Sequence, residues 1–122
     1  MITVLIDDVR SFRDRRPCLV ARSSAAGVDL LRSLAGQRID ELWLDHDLVG
    51  EDTIAPVVTE LVRHRYDVGR VWVHAARSGP AMRVKAALVA ADYNVQRSYD
   101  LRLWTHEVSY PPGTLESRGG SS

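Results

Sequence analysis

The chain has 122 residues and equal numbers of basic and acidic side chains, so its formal net charge is zero. This length suits one domain, and the fractions of 45% hydrophobic and 26% charged residues are ordinary for a globular protein. The balanced charge argues against an extended nucleic-acid-binding surface, and no apolar run is long enough to cross a bilayer. Cys18 is the single cysteine, which excludes an internal disulfide. Together with an N-terminus unlike a signal peptide, this predicts a cytoplasmic protein.

The basic residues are almost all arginine, since Lys85 is the single lysine. This bias is typical of a GC-rich genome and favours an actinobacterium or its phage as the source. The alternative is that arginine is preferred for bidentate contacts with phosphate.

Short hydrophobic runs alternate with helical segments along the chain. In chain order, strands are predicted at residues 2–6, 18–22, 40–45, 70–75 and 94–98. Between the first two strands, residues 10–16 are polar and charged, and Pro17 closes them, so they predict a loop or one helical turn. Trp43 of the third strand is expected to pack under a neighbouring helix.

Helices are predicted in the longer intervals between the strands. Ser23 and Ser24 can cap a first helix that ends near Gly36. Asp52 or Thr53 can cap a second helix, whose wide apolar face holds Ile54, Val57, Val58, Leu61 and Val62. A third, alanine-rich helix opens at Gly79-Pro80 and runs to about residue 92.

This alternation predicts an α/β domain whose parallel sheet is covered by helices on both faces. We expect the domain to comprise residues 1–98, followed by an extension of residues 99–115. Within the extension, residues 103–108 are interpreted as an added edge strand or a packed arm. Residues 116–122 are expected to be a disordered tail.

Three of the predicted strands end in acidic residues or histidine, at Asp7-Asp8, Asp45-His46-Asp47 and His74. In a parallel sheet the carboxyl ends of the strands meet at one edge, where open α/β sheets place their ligand crevice. Like charges gathered there cost free energy unless a cation, a proton or an arginine compensates them. The pattern therefore indicates a polar active site, although the acids can also serve only to cap turns, and each histidine only to bond a neighbouring carbonyl.

The residue types suit the opening of a phosphate ester. His74 and His46 can act as base and acid near neutral pH, with Asp45 and Asp47 beside them. Arg10 and Arg77 can bind phosphate in a forked geometry. Asp7, Asp8 and Asp45 can hold a divalent cation such as Mg²⁺ or Mn²⁺, and carboxylates can alternatively orient the imidazoles. The helix N-terminus at Gly79-Pro80 attracts anions, whereas His64 and His106 are interpreted as surface residues.

The order of these groups resembles a response-regulator receiver domain, in which acids after the first and third strands hold Mg²⁺. The resemblance implies a flavodoxin-like three-layer sandwich with five parallel strands in the order 2-1-3-4-5. Receivers carry a serine or threonine after the fourth strand and a lysine after the fifth. This chain has His74-Ala75 and Val95-Gln96-Arg97 in those places, which argues against phosphorelay.

A second resemblance, over about residues 1–98, is to the cyclic-phosphate-processing receiver-like family. It is carried by Leu5-Ile6-Asp7-Asp8-Val9-Arg10, Leu44-Asp45-His46-Asp47-Leu48 and Val73-His74. The resemblance implies a phosphoesterase that acts on a cyclic or terminal phosphate of a nucleotide or RNA end. Two alternatives stay open, namely a catalytically silent module that binds a nucleotide or protein partner and a true phosphoacceptor receiver. The sequence does not predict the oligomeric state.

Overall fold

The computed structural model describes residues 1–8, 10–12, 15–45, 48, 52–74, 78–97 and 103–105. The elements in chain order are β1 (Thr3–Ile6), β2 (Arg10–Phe12), β3 (Leu19–Ala21), α1 (Ser24–Ser33), β4 (Ile39–Asp45), α2 (Ala55–His64), β5 (Val68–His74), α3 (Ser78–Ala90), β6 (Val95–Arg97) and β7 (Leu103–Thr105). The predicted tail, residues 116–122, lies outside the described residues.

Five strands form one parallel sheet, in the order β3-β1-β4-β5-β6. The predicted α/β class with a five-stranded parallel sheet is therefore confirmed. The strand order differs in detail from the predicted numbering, because that numbering left out β2, which lies between β1 and β3 in the chain. Strand β2 belongs to a separate two-stranded sheet, in which it pairs antiparallel with β7.

Strand β2 occupies residues 10–12, where a loop or helical turn was expected over residues 10–16, and residues 15 and 16 lie outside any helix or strand. Phe12 is buried, and its ring meets that of Trp43 edge-on, with centroids 5.0 Å apart. Ser11 is buried too. The strand exists because it pairs with a segment some ninety residues away, with Arg10 opposite Thr105; such a non-local partner leaves no trace in the local charge pattern.

The described helices share one face of the sheet. Alternate residues of the strands point to that face and form one buried cluster with all three helices, through side chains such as Ile6, Leu44, Leu31, Leu61 and Leu88. The opposite face carries Leu5, Val20 and Trp43, with Phe12 of β2 over them. Within the described part of the chain, the prediction of helices on both faces therefore holds for one face.

Trp43 lies on the face away from the helices, so the prediction that it packs under a helix is wrong. Its ring stacks on that of Trp72 in the neighbouring strand, with centroids 4.8 Å apart and planes 15° apart. The guanidinium of Arg16 lies 4.4 Å from the centroid of the Phe12 ring and 5.7 Å from that of Trp43. These contacts are a cation–π arrangement that covers the aromatic pair from outside.

Helix α1 approaches the sheet closely at Gly27. A Cβ atom there would lie 2.9 Å from Cδ1 of Ile6 and 3.0 Å from Cγ2 of Val57. Since both neighbours are fully buried, neither side chain has free space to move into. The glycine lets α1 pack against β1 and α2 at the same time.

The N-termini of α1 and α2 are capped in different ways. Ser23 accepts a hydrogen bond from the Ala26 backbone N–H, as predicted for the N-cap of α1. Asp52 was one of the two predicted caps of α2, but it does not cap that helix. Its carboxylate instead accepts hydrogen bonds from the backbone N–H of Ser24 at 2.8 Å and from its hydroxyl at 2.5 Å. Ile54 is the N-cap of α2, and Thr53 Oγ1 accepts from Ala55 N–H at 3.3 Å.

Among the residues that the structure describes, no helix is both long and apolar enough to span a membrane.

Candidate functional site

The register of the sheet brings the first, third and fourth predicted strand ends together. Asp45 pairs with His74, and Ile6 pairs with Leu44, so Asp7 follows β1 at the same level. Asp7 is fully buried and Asp45 is 7% exposed. The candidate site therefore begins inside the protein, at the carboxyl edge of the central strands, where ligand crevices of open α/β sheets form.

Three carboxylates meet at this edge. Asp7, Asp8 and Asp45 each offer an oxygen atom, and these atoms all lie within 4.8 Å of one another. Two oxygen ligands on opposite sides of an ion lie about 4.8 Å apart for Ca²⁺ and about 4.2 Å apart for Mg²⁺. Three oxygens within 4.8 Å of one another therefore fall in the range that one shared divalent cation can span. Carboxylates gathered this closely, two of them buried, also favour a bound cation energetically. The residues present thus fit a hard, oxygen-bound metal ion.

Arg10 connects the acids to the histidine. Its backbone N–H donates a hydrogen bond to Asp7 Oδ1 at 2.7 Å, which closes the turn after β1. Its guanidinium Nη1 contacts Nε2 of His74. A guanidinium can only donate, so in this arrangement Nε2 of His74 is the acceptor and the ring proton is assigned to Nδ1.

Arg22 is a residue of this region that sequence reasoning missed. Its guanidinium donates hydrogen bonds to the carbonyl oxygens of Asp7 at 3.1 Å and Arg10 at 2.7 Å, and lies 3.4 Å from the hydroxyl of Ser11. The only signal in the sequence is positional, because Arg22 directly follows the strand that pairs with β1.

Three further predicted residues, His46, Asp47 and Arg77, lie outside the described residues. Between β4 and α2 the structure describes Leu48 and residues 52–54. Leu48 is buried, and its N–H donates to the carbonyl of Asp52 at 3.3 Å. The hydrogen bonds from Ser24 hold the pKa of the Asp52 carboxyl below its ordinary value. Asp52 thus ties this loop to the N-terminus of α1 as a charged cap.

His64 does not belong to the site. It lies in the last turn of α2, at the opposite edge of the sheet, and its Nε2 is 3.8 Å from Glu60 Oε2. A cavity of about 630 Å³ lies there, between the C-terminal ends of α1 and α2. The buried carboxylate that lines it is already paired, because Glu60 accepts hydrogen bonds from Arg32 at 3.1 Å and from the Tyr66 hydroxyl at 2.7 Å.

These contacts shift the ionisation of the pair. Hydrogen bonds from Tyr66 and Arg32 lower the pKa of Glu60. Burial, followed by the hydrogen bond to Glu60, raises the pKa of the Tyr66 hydroxyl to about 12. The network joins α1, α2 and the start of β5, and we interpret it as structural.

The geometry agrees with the comparison to known families. The family model of the cyclic-phosphate processing receiver domain matches residues 2–90, a span that includes Asp7, Asp8, Arg10, Asp45 and His74. No curated protein and no solved structure matches the chain. The matched span covers well over half of the sequence and includes the carboxyl ends of β1, β3, β4 and β5. The chain therefore belongs to the cyclic-phosphate processing receiver domain family.

Proposed function

We propose that this protein is a phosphoesterase that hydrolyses a cyclic or terminal phosphate of a nucleotide or RNA end. One observation carries the proposal: the three-carboxylate cluster and the Arg10–His74 pair share one edge of the sheet. Hydrolysis of a phosphate ester needs an activated water, stabilisation of the negative charge on the phosphoryl oxygens and a proton for the leaving oxygen. The family membership supports the phosphate-directed part of this role.

Arg10 is proposed to bind the phosphate. Its strand fixes the backbone, and its guanidinium reaches the edge between β1 and β5. A phosphate oxygen is a stronger acceptor for a guanidinium than a neutral imidazole nitrogen. Substrate binding would therefore draw Arg10 from His74 Nε2 and free that nitrogen.

His74 is proposed as the proton-transfer group. Once Arg10 has turned to the phosphate, Nε2 can accept a proton from the attacking water. When Nε2 is protonated, it can instead donate a proton to the leaving oxygen. His46 is proposed as the partner that performs the other transfer, with Asp47 to orient an imidazole. Arg77 is proposed as a second phosphate ligand.

Asp7, Asp8 and Asp45 are proposed to hold Mg²⁺ or Mn²⁺. When bound, such an ion supplies Lewis-acid polarisation and charge neutralisation at the phosphoryl group. The chain's own contribution is to bury two of the acids and to fix the turn that carries the third. Without an ion, the same carboxylates would serve to orient the imidazoles.

A second candidate function is a catalytically silent module that binds a nucleotide or a protein partner. The contact between Arg10 and His74 favours this alternative, because the guanidinium occupies Nε2, the nitrogen that would otherwise transfer a proton. In this alternative, Arg10 and His74 form a fixed anion-binding surface, and no proton is transferred.

The two functions separate in a phosphorus-NMR screen. The purified protein is incubated with 2′,3′-cyclic, 3′,5′-cyclic and 1″,2″-cyclic phosphates, with and without millimolar Mg²⁺ or Mn²⁺. The proposal expects at least one cyclic resonance to be replaced by that of a monoester, and Asp45→Asn to suppress this conversion. Line broadening or a shift without conversion across the panel would favour the binding module instead.

A further inference from the structure

Arg22 stands outside every motif discussed above, yet it touches the turn on which the candidate site is built. It is half-buried and directly follows Ala21, the last residue of β3. Its side chain turns back across the end of the sheet toward the segment between β1 and β2.

The contacts of Arg22 bracket that segment. One guanidinium nitrogen, Nη1, donates to the carbonyl of Asp7 at 3.1 Å and to that of Arg10 at 2.7 Å. The other terminal nitrogen lies 3.4 Å from the hydroxyl of Ser11. The Asp7 backbone N–H donates in turn to the carbonyl of Ala21 at 3.1 Å, so the segment is held at both ends by the end of β3.

We infer that Arg22 is a positioning residue that sets the spacing of the acids and the reach of Arg10. Between the two carbonyls that Arg22 binds lie two of the three clustered carboxylates, Asp7 and Asp8, and Arg10 itself contacts His74. With both carbonyls fixed, Asp7 and Asp8 are directed toward Asp45 and the Arg10 side chain starts from a defined point. The effect of Arg22 on turnover rests on the proposed function, whereas its effect on the conformation of the turn after β1 does not.

The chemistry requires arginine in particular. The planar guanidinium presents several N–H groups in a rigid fork, whereas a lysine ammonium is a single point charge on a flexible stem. Arg22→Lys therefore keeps the charge but loses the simultaneous contact with two carbonyls and a hydroxyl. Arg38→Lys is the matched control, because Arg38 is an exposed arginine at the opposite edge that pairs with Asp40 and Asp67.

Amide hydrogen exchange measured by NMR tests the positioning role directly. In Arg22→Lys we expect exchange at the Asp7 and Arg10 amides to accelerate about tenfold or more, with Leu5 in β1 unchanged. Arg38→Lys should leave all three amides unchanged. If Arg22→Lys lowers the yield of folded protein, Arg22→Gln provides the same comparison, because it retains N–H donors without the charge or the fork.

Metal affinity and kinetics give the second readout. By titration calorimetry we expect Arg22→Lys to weaken Mg²⁺ binding by about tenfold, and in turnover assays to lower kcat more than it changes KM. Unchanged exchange at Asp7 and Arg10, or equal acceleration throughout the sheet, would overturn the inference. Suppose that exchange accelerates locally in Arg22→Lys while the wild-type protein turns over no cyclic phosphate. This result would leave the inference standing and count against the proposed function alone.

Discussion

Asp45→Asn removes one of the three charges at the sheet edge while it keeps the side-chain shape, and it should stabilise the metal-free protein. Two unit charges 4.8 Å apart, the outer limit of the cluster, repel by about 3.5 kcal/mol at an effective dielectric constant of about 20. The substitution removes two such pairs. Solvent at half-exposed Asp8 and the nearby Arg10 offset most of this, and the weaker acceptor costs about 1 kcal/mol.

The expected net effect is a rise of about 1–2 kcal/mol in the free energy of unfolding without metal, or about 4–8 °C in Tm. Millimolar Mg²⁺ should raise the Tm of the wild type and have little effect on Asp45→Asn, because binding to the folded state alone stabilises it. Fluorescence of the stacked Trp43 and Trp72 reports the unfolding. Asp29→Asn, the same chemical change on the exposed side of α1, should alter neither quantity. A loss of metal-free stability in Asp45→Asn, with equal Mg²⁺ shifts in both proteins, would refute the electrostatic reasoning.

Four further variants test the scaffold. Asp52→Ala should lower the free energy of unfolding by about 1–3 kcal/mol in urea titrations, because it leaves the N–H and hydroxyl of buried Ser24 without their acceptor; an unchanged midpoint would contradict this. Gly27→Ala should cost about 1–2 kcal/mol, since overpacking outweighs the gain of about 1 kcal/mol in helix propensity; a more stable variant would show that the helix shifts freely. The pKa of Glu60 is lowered on folding, so its contribution to stability is present above its ordinary pKa and is lost as the pH falls through the folded value. The pKa of Tyr66 is raised to about 12, so its contribution is lost as the pH rises from about 10 through that value. Glu60→Gln should flatten the acid limb of the stability–pH curve, and Tyr66→Phe the alkaline limb.

The features that the sequence predicted well are those in which local pattern and tertiary structure agree. The hydrophobic run that became β1 is buried on both faces, and so is the second half of β4, whereas β5 buries Val71 and Val73 on one face only. Continuous apolar runs are typical of such parallel strands. The acids and the histidine that follow these runs had to meet once the strands were parallel. The sequence pattern alone therefore predicts that Asp7, Asp45 and His74 lie at one edge.

The features that it did not predict depend on partners far away in the chain. Strand β2 owes its conformation to β7 and to the ring of Trp43. Asp52 precedes α2 in the chain and is typical of a helix cap there, but in the fold its carboxylate bonds Ser24 at the start of α1. Arg22 could not be assigned to the site because an arginine after a strand has many possible acceptors, and only the fold selects two carbonyls.

The central claim is that the Asp/His edge of the sheet hydrolyses a phosphate ester, and the turnover of His74→Ala tests it most directly. His64→Ala is the matched control, because His64 lies at the opposite edge against Glu60. With the substrate that responds in the NMR screen, we expect His74→Ala to retain the wild-type fold while kcat falls by about 10²–10⁴-fold, and His64→Ala to keep the wild-type rate. Equal rates for the wild type and His74→Ala, in protein shown to be folded by its tryptophan fluorescence, would contradict the proposed role of this edge.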